Sequence, residues 1–434
     1  ANVLLEIFNR LIHTHGSILR HSNIFMKKEG FNTTNLHSDR ADKPEHGVLH
    51  KPVHTSVAYG YEKAKHLAEV FQGKRQGYNY GRQLNPTVTA LQKRITKMEN
   101  GISSVAFSTG MAAISSTMLS LLKAGDHVIA SSFLFGNTNS FFGTLNRLGI
   151  EVSFVDATKA QLVENSIKQN TRIVFVETIA NPVTQVADLA LIGRICKNKN
   201  LVYIVDNTMT SPYLFQPRDV GASLIINSLT KYIGGHGNAL GGVVTDAGNF
   251  DWKTYENIIK TYRSETPELW GLTQIKKKGL RDMGSSLGPE AAHHLAVGSE
   301  TLSIRMERAS TTALELAEFC SGHNRVKGTY YPGLPHHPQY DRARDLFKQF
   351  GAIFSIDLAD GLDCFDFLDR LEHIISSSNL GDTRTLAIPV AHTIFYEMGA
   401  TRRKSMGISD SMIRFSIGIE ESGDLLSDLK NALA

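Results

Sequence analysis

The chain carries a lysine in a setting that is unusual for this residue. Lys231 follows the apolar run "ASLIINS" and stands close to Ser228, Thr230 and several glycines in "INSLTKYIGGHGNALGG". A lysine in a closed site loses its proton easily and becomes a nucleophile toward carbonyl compounds. Glycines let the backbone pass close to a flat ligand. The segment predicts a lysine that attaches to a carbonyl group, although a solvated loop lysine would have the same spacing.

A carboxylate ends another apolar run. Asp206 closes "LVYIVD", where an unpaired buried charge would be strongly destabilising. A protonated pyridine nitrogen would be a suitable cationic partner, because a pyridine that stays protonated withdraws electrons from a bound substrate. The competing interpretation is a helix N-cap, since "DNT" could begin a helix.

An anion site is predicted where a strand turns into a helix. Gly110 and Met111 follow Thr109 and open the helical pattern "GMAAISSTMLSLLKAG". Free N–H groups and the helix dipole at such a turn suit a phosphate, and the hydroxyl groups of Ser228 and Thr230 could bind the same phosphate. A lysine for an aldehyde, a carboxylate for a ring nitrogen and a helix N-terminus for a phosphate together match pyridoxal 5′-phosphate (PLP).

These residues follow predicted strands of one sheet. Short apolar runs alternate with helical stretches, in the order "SSVAFST", "DHVIASS", "IEVSFVD", "RIVFVET", "LVYIVDN" and "ASLIINS". Continuous apolar runs separated by helices predict βαβ units and a mostly parallel sheet that is covered on both faces. Ligands bind outside the carboxyl ends of such strands. We therefore expect Thr109, Asn181, Asp206 and Lys231 to converge on one site.

The remaining segments divide the chain. Residues 26–82 are irregular and predict an arm that packs on another surface, residues 83–289 a cofactor-binding domain, and residues 290–434 a smaller α+β domain. The stretch "HHLAVGSETLSIRMERASTTALELAEFC" is predicted to be one long helix. "MKKEGFNTTNLHSD" resembles a natural start at Met26, so we expect residues 1–25 to be a foreign extension, with a transit peptide as the alternative.

Composition restricts the function classes. The 434 residues are 41% hydrophobic and 20% charged, enough for a large core in two or three domains. A net charge of +4 without blocks of like charge does not indicate binding to nucleic acid. The uncharged stretch from Ile102 to Leu122 contains eight hydroxyl residues, which predicts strand, turn and helix rather than a membrane span. Three well-separated cysteines suit the reducing cytoplasm, where we expect the protein to be located.

Five motifs in order carry a resemblance to a known family. They are "YNYGRQLNPT" (78–87), "STGMAAI" (108–114), "VETIANP" (176–182), "YIVDNT" (203–208) and "NSLTKYIGGHG" (227–237). This series is similar to that of the Cys/Met-metabolism PLP-dependent enzymes, which include cystathionine γ-synthase, the cystathionine lyases, methionine γ-lyase and O-acetylhomoserine sulfhydrylase. The resemblance implies PLP-dependent transferase fold type I, an α/β fold with a mostly parallel sheet in a large domain and a smaller α+β C-terminal domain.

Within that family the chain most resembles the O-acetylhomoserine sulfhydrylase branch. "TKYIGGHGNALGGVVTDAGNFDW" (230–252) is similar to that branch, and "SNLGDTRTL" (378–386) has Asn379 where the γ-synthase and lyase branches usually have Ser. The resemblance implies γ-replacement on O-acetylhomoserine with sulfide or a thiol, which gives homocysteine for methionine biosynthesis. Cystathionine γ-synthase and methionine γ-lyase activities are the alternatives.

The resemblance also implies roles for matching residues. Lys231 would bind PLP and then move protons, Asp206 would pair with the pyridine nitrogen with support from Thr208, and Asn379 and Arg414 would contact the substrate. Arg414 would clamp its carboxylate bidentately; a surface arginine at a strand edge is the alternative. The other cofactor contacts would be Tyr80, Arg82, Gly110, Met111, Phe135, Asn181, Ser228 and Thr230, and no metal is expected.

Tyr80 and Arg82 match a family element that reaches the phosphate of a neighbouring subunit. The resemblance therefore implies that the arm contacts a second subunit and that the chain forms a homo-oligomer, commonly a dimer of dimers. Its expected partners are an amino-acid substrate and a sulfur donor, with no nucleic acid and no membrane.

Phe135 departs from the family pattern, which usually has Tyr at this position. A phenyl ring can still stack on the cofactor, but it cannot act as an acid or base. Acetate is a much weaker base than a thiolate and can leave unprotonated, so Phe135 favours an O-acyl ester as substrate.

The sequence disfavours two other function classes. A PLP-binding regulatory or scaffolding protein without turnover is disfavoured by the presence of Lys231, Asp206 and Arg414. A nucleotide-binding α/β protein is disfavoured because the chain has neither a GxGxxG nor a GxxxxGK motif.

Overall fold

The structure is a computed structural model that describes residues 29–38 and 45–434. The expectation of a foreign extension at residues 1–25 lies outside the described residues. All six predicted apolar runs form strands of one seven-stranded sheet, whose members are β1 Ser103–Phe107, β2 His127–Ser131, β3 Glu151–Val155, β4 Thr171–Glu177, β5 Val202–Asp206, β6 Leu224–Ser228 and β7 Gly242–Asp246.

The strand order is β1-β7-β6-β5-β4-β2-β3, and the pairs among β2 to β6 are parallel. This confirms the mostly parallel sheet. Strand β7 is not among the predicted strands; it runs antiparallel to both β1 and β6 and pairs Gly242 with Ser228. An antiparallel neighbour needs no helical crossover. The loop after Lys231 can therefore return the chain directly beside β6.

Helices cover this sheet on both faces, so that β2 and β7 consist entirely of buried residues. Thr109 begins one of these helices as predicted, because its side chain accepts a hydrogen bond from the Ala112 N–H at 3.0 Å. The α-helices before residue 289 are α1 Phe31–His37, α2 Ala64–Phe71, α3 Pro86–Met98, α4 Gly110–Leu121, α5 Gly136–Arg147, α6 Ala160–Asn165, α7 Leu189–Lys199, α8 Ser211–Leu214 and α9 Trp270–Gln274, which continues as a π-helix over Ile275–Arg281.

The C-terminal part forms a second, five-stranded sheet of order β10-β11-β12-β9-β8, in which only β10 and β11 are parallel. It is the α+β unit that the sequence predicted. Its strands are β8 Val326–Tyr330, β9 Ile353–Leu358, β10 Ile375–Ser376, β11 Leu386–Pro389 and β12 Met412–Ser416, and the helices from residue 289 onward are α10 Pro289–Ser299, α11 Leu302–Ser321, α12 Tyr340–Leu346, α13 Cys364–Asp369, α14 Ala400–Ser405 and α15 Ser422–Ala432.

The prediction of one long helix at residues 293–320 is wrong. Helix α10 ends at Ser299 and α11 begins at Leu302. The carbonyl oxygen of Gly298 accepts hydrogen bonds from the Arg305 guanidinium at 2.7 Å and from the Thr301 hydroxyl at 3.3 Å. Side-chain donors of this kind compete with the helical N–H ladder, and the chain turns at this point.

The two units share buried apolar contacts, since one hydrophobic cluster contains both Ile225 of β6 and Ile413 of β12. Helix α1, in the segment predicted to be an arm, packs on its own chain, where the Asn35 amide donates to the Ser299 carbonyl oxygen at 2.7 Å. The domain boundaries and the contact of residues 26–82 with a second subunit stay predictions. Within the described ranges, no helix is both long enough and apolar enough to cross a bilayer.

Candidate active site

A cavity of about 510 Å³ lies at the carboxyl ends of β4, β5 and β6. All the predicted site residues except Tyr80 and Arg82 line it. Residues that the sequence analysis did not single out also line this cavity. The lining consists of Thr109, Gly110, Met111, Ile114, Phe135, Asn137, Thr138, Glu177, Asn181, Asp206, Thr208, Met209, Ser228, Thr230, Lys231, Leu240, Ser378, Asn379, Leu380, Ile394 and Arg414.

The N-terminus of α4 forms one wall of the cavity. The N–H groups of Gly110 and Met111 belong to the first turn, where a helix has no acceptors of its own for them. A Cβ atom on Gly110 would lie 2.8 Å from the Cβ atom of Ser228, so glycine is needed for the close approach of α4 to the end of β6. The arrangement offers backbone donors, the positive end of a helix dipole and a hydroxyl group to an anion.

Lys231 is joined to the C-terminal unit through Asn379. Its Nζ atom donates to the Asn379 side-chain oxygen at 2.8 Å, and the Arg414 Nη2 atom donates to the Asn379 backbone oxygen at 2.8 Å. Burial, and secondarily the charge of Arg414, lowers the pKa of Lys231 to about 8. Lys231 is therefore a lysine in a cavity that loses its proton more readily than an ordinary lysine, and the alternative of a solvated loop lysine is wrong.

Arg414 is buried in the middle of the second sheet. It lies on β12, which pairs with β11 on one side and β9 on the other, and only 1% of its surface is exposed. The alternative of a surface arginine at a strand edge is therefore wrong. Its Nε atom is buried and has no hydrogen-bond partner among the described residues. A guanidinium group with a donor to spare is suited to binding a carboxylate.

Asp206 lies beside a second carboxylate. Burial raises its pKa, and the hydroxyl and N–H groups of Thr208 oppose that rise. The Thr208 N–H donates to Asp206 Oδ1 at 3.0 Å, and the Thr208 hydroxyl oxygen accepts from the Ser228 N–H at 2.8 Å. The next helix begins only at Ser211, so the alternative of an N-cap at Asp206 is wrong.

Glu177 is the second carboxylate, and the sequence analysis did not single it out. It ends β4 directly opposite Asp206 on β5. Burial, and secondarily the charge of Asp206, raises the pKa of Glu177, and its Oε1 atom accepts from the Phe135 N–H at 2.9 Å. The signal that could have found it is the one that located Asp206, an acidic residue at the end of an apolar strand.

The polar groups of the cavity fit pyridoxal 5′-phosphate. Asp206 is a half-buried carboxylate whose pKa is not lowered by any cation among the described residues, and a protonated ring nitrogen would supply that cation. The Asn181 side-chain oxygen is buried and lacks a hydrogen-bond partner in the described structure, which leaves it available to a ligand. Lys231 could supply an amine for the aldehyde, and the N-terminus of α4 could supply donors for the phosphate.

Tyr80 and Arg82 lie outside this cavity. Tyr80 is 42% exposed, and the Arg82 guanidinium lies 5.4 Å from the centre of its ring. Arg82 also donates to the Arg281 carbonyl oxygen at 2.6 Å. The two side chains are therefore on the surface of their own chain and not among the groups that surround Lys231.

Comparison with known proteins agrees with this site. The family model described as "Cys/Met metabolism PLP-dependent enzyme" matches residues 32–434. The chain belongs to this family. An L-methionine gamma-lyase of Fusobacterium nucleatum subsp. nucleatum is 36% identical over 412 residues, which are 94% of this chain and 99% of the relative. O-acetyl-L-homoserine sulfhydrylase 1 of Thermus thermophilus is 36% identical over 421 residues, which are 93% and 100% of the two chains.

A solved structure of the family has the same fold and contains the cofactor. It is a protein from Campylobacter jejuni subsp. jejuni named as an O-acetylhomoserine (thiol)-lyase, with N′-pyridoxyl-lysine-5′-monophosphate. The TM-score is 0.89 at 30% sequence identity, and the match covers 93% of this chain and 100% of the other. The present chain is thus a PLP-dependent enzyme of fold type I, and the predictions of family, fold and cofactor are confirmed. Its substrate is a small amino acid of cysteine and methionine metabolism.

Proposed function

We propose that this enzyme catalyses γ-replacement on O-acetylhomoserine, with sulfide or a small thiol as the nucleophile, to give homocysteine. The observation that carries the proposal is the phenyl ring of Phe135 in the lining of the cavity. A phenyl ring has no proton to give to a leaving group, and acetate can leave without one whereas a thiolate needs an acid. Relatives named as O-acetylhomoserine sulfhydrylases support this choice, and those named as methionine gamma-lyases make that activity the second candidate.

The cavity residues have matching proposed roles toward the cofactor. Lys231 would bind its aldehyde, Asp206 would hold a proton on its ring nitrogen, and Thr208 would keep Asp206 in place. Asn181 would bind near the ring hydroxyl, and Phe135 would stack on the ring. The phosphate would be held by Gly110, Met111, Ser228 and Thr230.

When bound, the cofactor supplies the electron sink that proton removal from the substrate carbons needs. The Lys231 amine removes the protons at Cα and Cβ and later returns protons to these carbons, and its lowered pKa leaves it able to act as a base near neutral pH. Arg414 binds the substrate carboxylate, and Asn379, which contacts both side chains, keeps Cα within reach of Lys231. Acetate leaves from Cγ, and the sulfur nucleophile adds to the same carbon.

We further propose that the functional unit is a homo-oligomer, a dimer of dimers. Tyr80 and Arg82 lie on the surface of their own chain, as a role in a neighbouring subunit requires. Mixing the Arg82→Ala and Lys231→Ala proteins tests this arrangement. In a mixed dimer, one site combines the intact Lys231 of the first variant with the intact Arg82 of the second. The mixture should therefore regain activity that neither variant has alone. A cytoplasmic location stays a prediction.

A substrate panel tests the proposed reaction. The purified enzyme is given O-acetylhomoserine with sulfide, with cysteine or without a nucleophile, and separately methionine or cystathionine alone. We expect homocysteine from the first mixture to form much faster than 2-oxobutyrate forms from methionine. The Phe135→Tyr variant is the matched control and should narrow that gap by cleaving thioethers faster. Cleavage of methionine or cystathionine by the parent enzyme as fast as use of O-acetylhomoserine would refute the proposal.

A further inference from the structure

A buried carboxyl group outside the cavity contacts two strands that contribute to it. Glu99 follows the last residue of α3 and has no exposed surface. Its Oε1 atom accepts hydrogen bonds from the side-chain amides of Asn207 at 3.0 Å and of Asn227 at 2.6 Å. Neither asparagine lines the cavity. One oxygen atom outside the lining of the cavity therefore links the ends of β5 and β6.

Each of these asparagines is next in the chain to a residue of the cavity. Asn207 lies between Asp206 and Thr208, and Asn227 directly precedes Ser228. The Asn207 side chain makes two further hydrogen bonds. Its Nδ2 atom also donates to a backbone carbonyl oxygen, that of residue 215, at 3.0 Å, and its Oδ1 atom accepts from the hydroxyl group of residue 210. A displacement of Asn207 or Asn227 would thus also displace the neighbouring cavity residue, because adjacent residues share a rigid peptide plane.

We propose that Glu99 is a positioning residue for the cofactor, which fixes the ends of β5 and β6 so that Asp206, Thr208 and Ser228 keep their places in the cavity. The proposal rests on the proposed cofactor contacts of these three residues. It concerns how firmly the cofactor is held, whichever substrate the enzyme uses.

The chemistry of Glu99 determines which substitution should preserve this function. Burial raises the pKa of Glu99 to about 7, and the two amides oppose that rise. Its Oε2 atom has no hydrogen-bond partner among the described residues. Glutamine keeps the accepting oxygen and the shape of the neutral acid, whereas alanine leaves two buried N–H donors without their acceptor. The acceptor, and not the negative charge, is the part that the two asparagines need.

Asp246 offers a matched control. It is a fully buried carboxyl group in the same sheet, and it accepts from the Gly248 N–H and the Trp252 Nε1–H, both at 2.8 Å. It lies at the end of β7 that is remote from the cavity, because Gly242 at the other end pairs with Ser228. Asp246→Ala should destabilise the fold through the same kind of loss without moving any residue of the cavity.

The experiment measures release of the cofactor from the holoenzyme. Each purified variant is dialysed against a carbonyl scavenger, and the visible absorbance of bound PLP is followed over time, together with denaturant unfolding. We expect Glu99→Ala to lose the cofactor about tenfold faster than the parent, since one unsatisfied buried donor corresponds to a change of about that size or larger. Glu99→Gln and Asp246→Ala should stay within about twofold of the parent.

The proposal is overturned if Asp246→Ala releases the cofactor as fast as Glu99→Ala, because general destabilisation would then suffice. It is also overturned if Glu99→Gln is as defective as Glu99→Ala. If Glu99→Ala does not yield folded protein, Asn227→Ala decides, with an expected acceleration of about threefold and an unchanged rate as the contrary result. If Glu99→Ala releases the cofactor at the parent rate and the parent enzyme still turns over O-acetylhomoserine, only the role of Glu99 is refuted. The proposed reaction is tested independently by the substrate panel.

Discussion

Lys231 should bind the cofactor with a pH dependence that the cavity determines. Burial and the charge of Arg414 lower its pKa to about 8 from an ordinary value of 10.5. Only the neutral amine attacks an aldehyde. At pH 7 about a tenth of such amines are neutral, compared with about 0.03% for an ordinary lysine, so the cavity should make Lys231 about 300-fold more available.

The assay follows the rate at which the apo form takes up PLP between pH 6 and pH 10. Visible absorbance in a stopped-flow instrument gives the rate constant at each pH. We expect the rate constant to rise about tenfold per pH unit up to about pH 8 and to level off above it. Nα-acetyl-lysine in the same buffers is the control, because it reports the titration of PLP itself and of an amine with an ordinary pKa.

The Arg414→Leu variant tests what lowers the pKa of Lys231. Leucine leaves Lys231 buried but removes the positive charge, so the pH at which the rate constant levels off should rise while staying below that of the control amine. A rate constant that still rises about tenfold per unit at pH 9.5 in the parent protein would refute the reasoning. If that pH is unchanged in Arg414→Leu, burial alone lowers the pKa.

Three further predictions concern the buried charges. Arg414→Lys keeps the charge but loses the planar fork, and we expect kcat/KM for O-acetylhomoserine to fall about 10- to 100-fold, mainly through KM, in steady-state assays. Glu177→Gln keeps an acceptor for the Phe135 N–H and should still bind the cofactor at pH 7, whereas Glu177→Ala lacks the acceptor and should bind it more weakly. The visible absorbance of bound PLP measures the difference. Burial raises the pKa of both Glu99 and Asp246 to about 7, so in denaturant unfolding of the apo form these two groups should contribute stability that is full below about pH 4, where they are protonated in both states, and that is lost, by several kcal/mol, as the pH rises to 8.

The fold was largely predictable because its strands are continuous apolar runs that end in polar residues. The sheet of six predicted strands follows from that pattern, and Thr109 marks the start of α4 by its capping side chain. Strand β7 was not predictable in this way, because its direction depends on how tightly the glycine-rich segment after Lys231 turns. The break between α10 and α11 depends on Arg305, which reaches the Gly298 carbonyl only in the folded chain.

The candidate site was predictable where one residue alone signals its chemistry. Lys231 and Asp206 stand out because each is a charge beside an apolar strand. Glu177 has the same pattern, but its importance depends on the register that places it opposite Asp206. Glu99 has no neighbouring apolar strand that would mark it as buried, and only tertiary packing places it in the core.

Asn379 links residues that are far apart in the chain, with its side-chain oxygen on Lys231 and its backbone oxygen on Arg414. The residue proposed as the base and the arginine proposed to bind the substrate carboxylate are therefore aligned by a single residue of the C-terminal unit. A change at Asn379 would therefore alter the positions of Lys231 and Arg414 together. In a hybrid protein that takes residues 290–434 from a relative, the relative's C-terminal unit would set the positions of Lys231 and Arg414. The hybrid should therefore have the substrate preference of that relative. Its rate of cofactor release should remain that of the present chain, which supplies the large sheet.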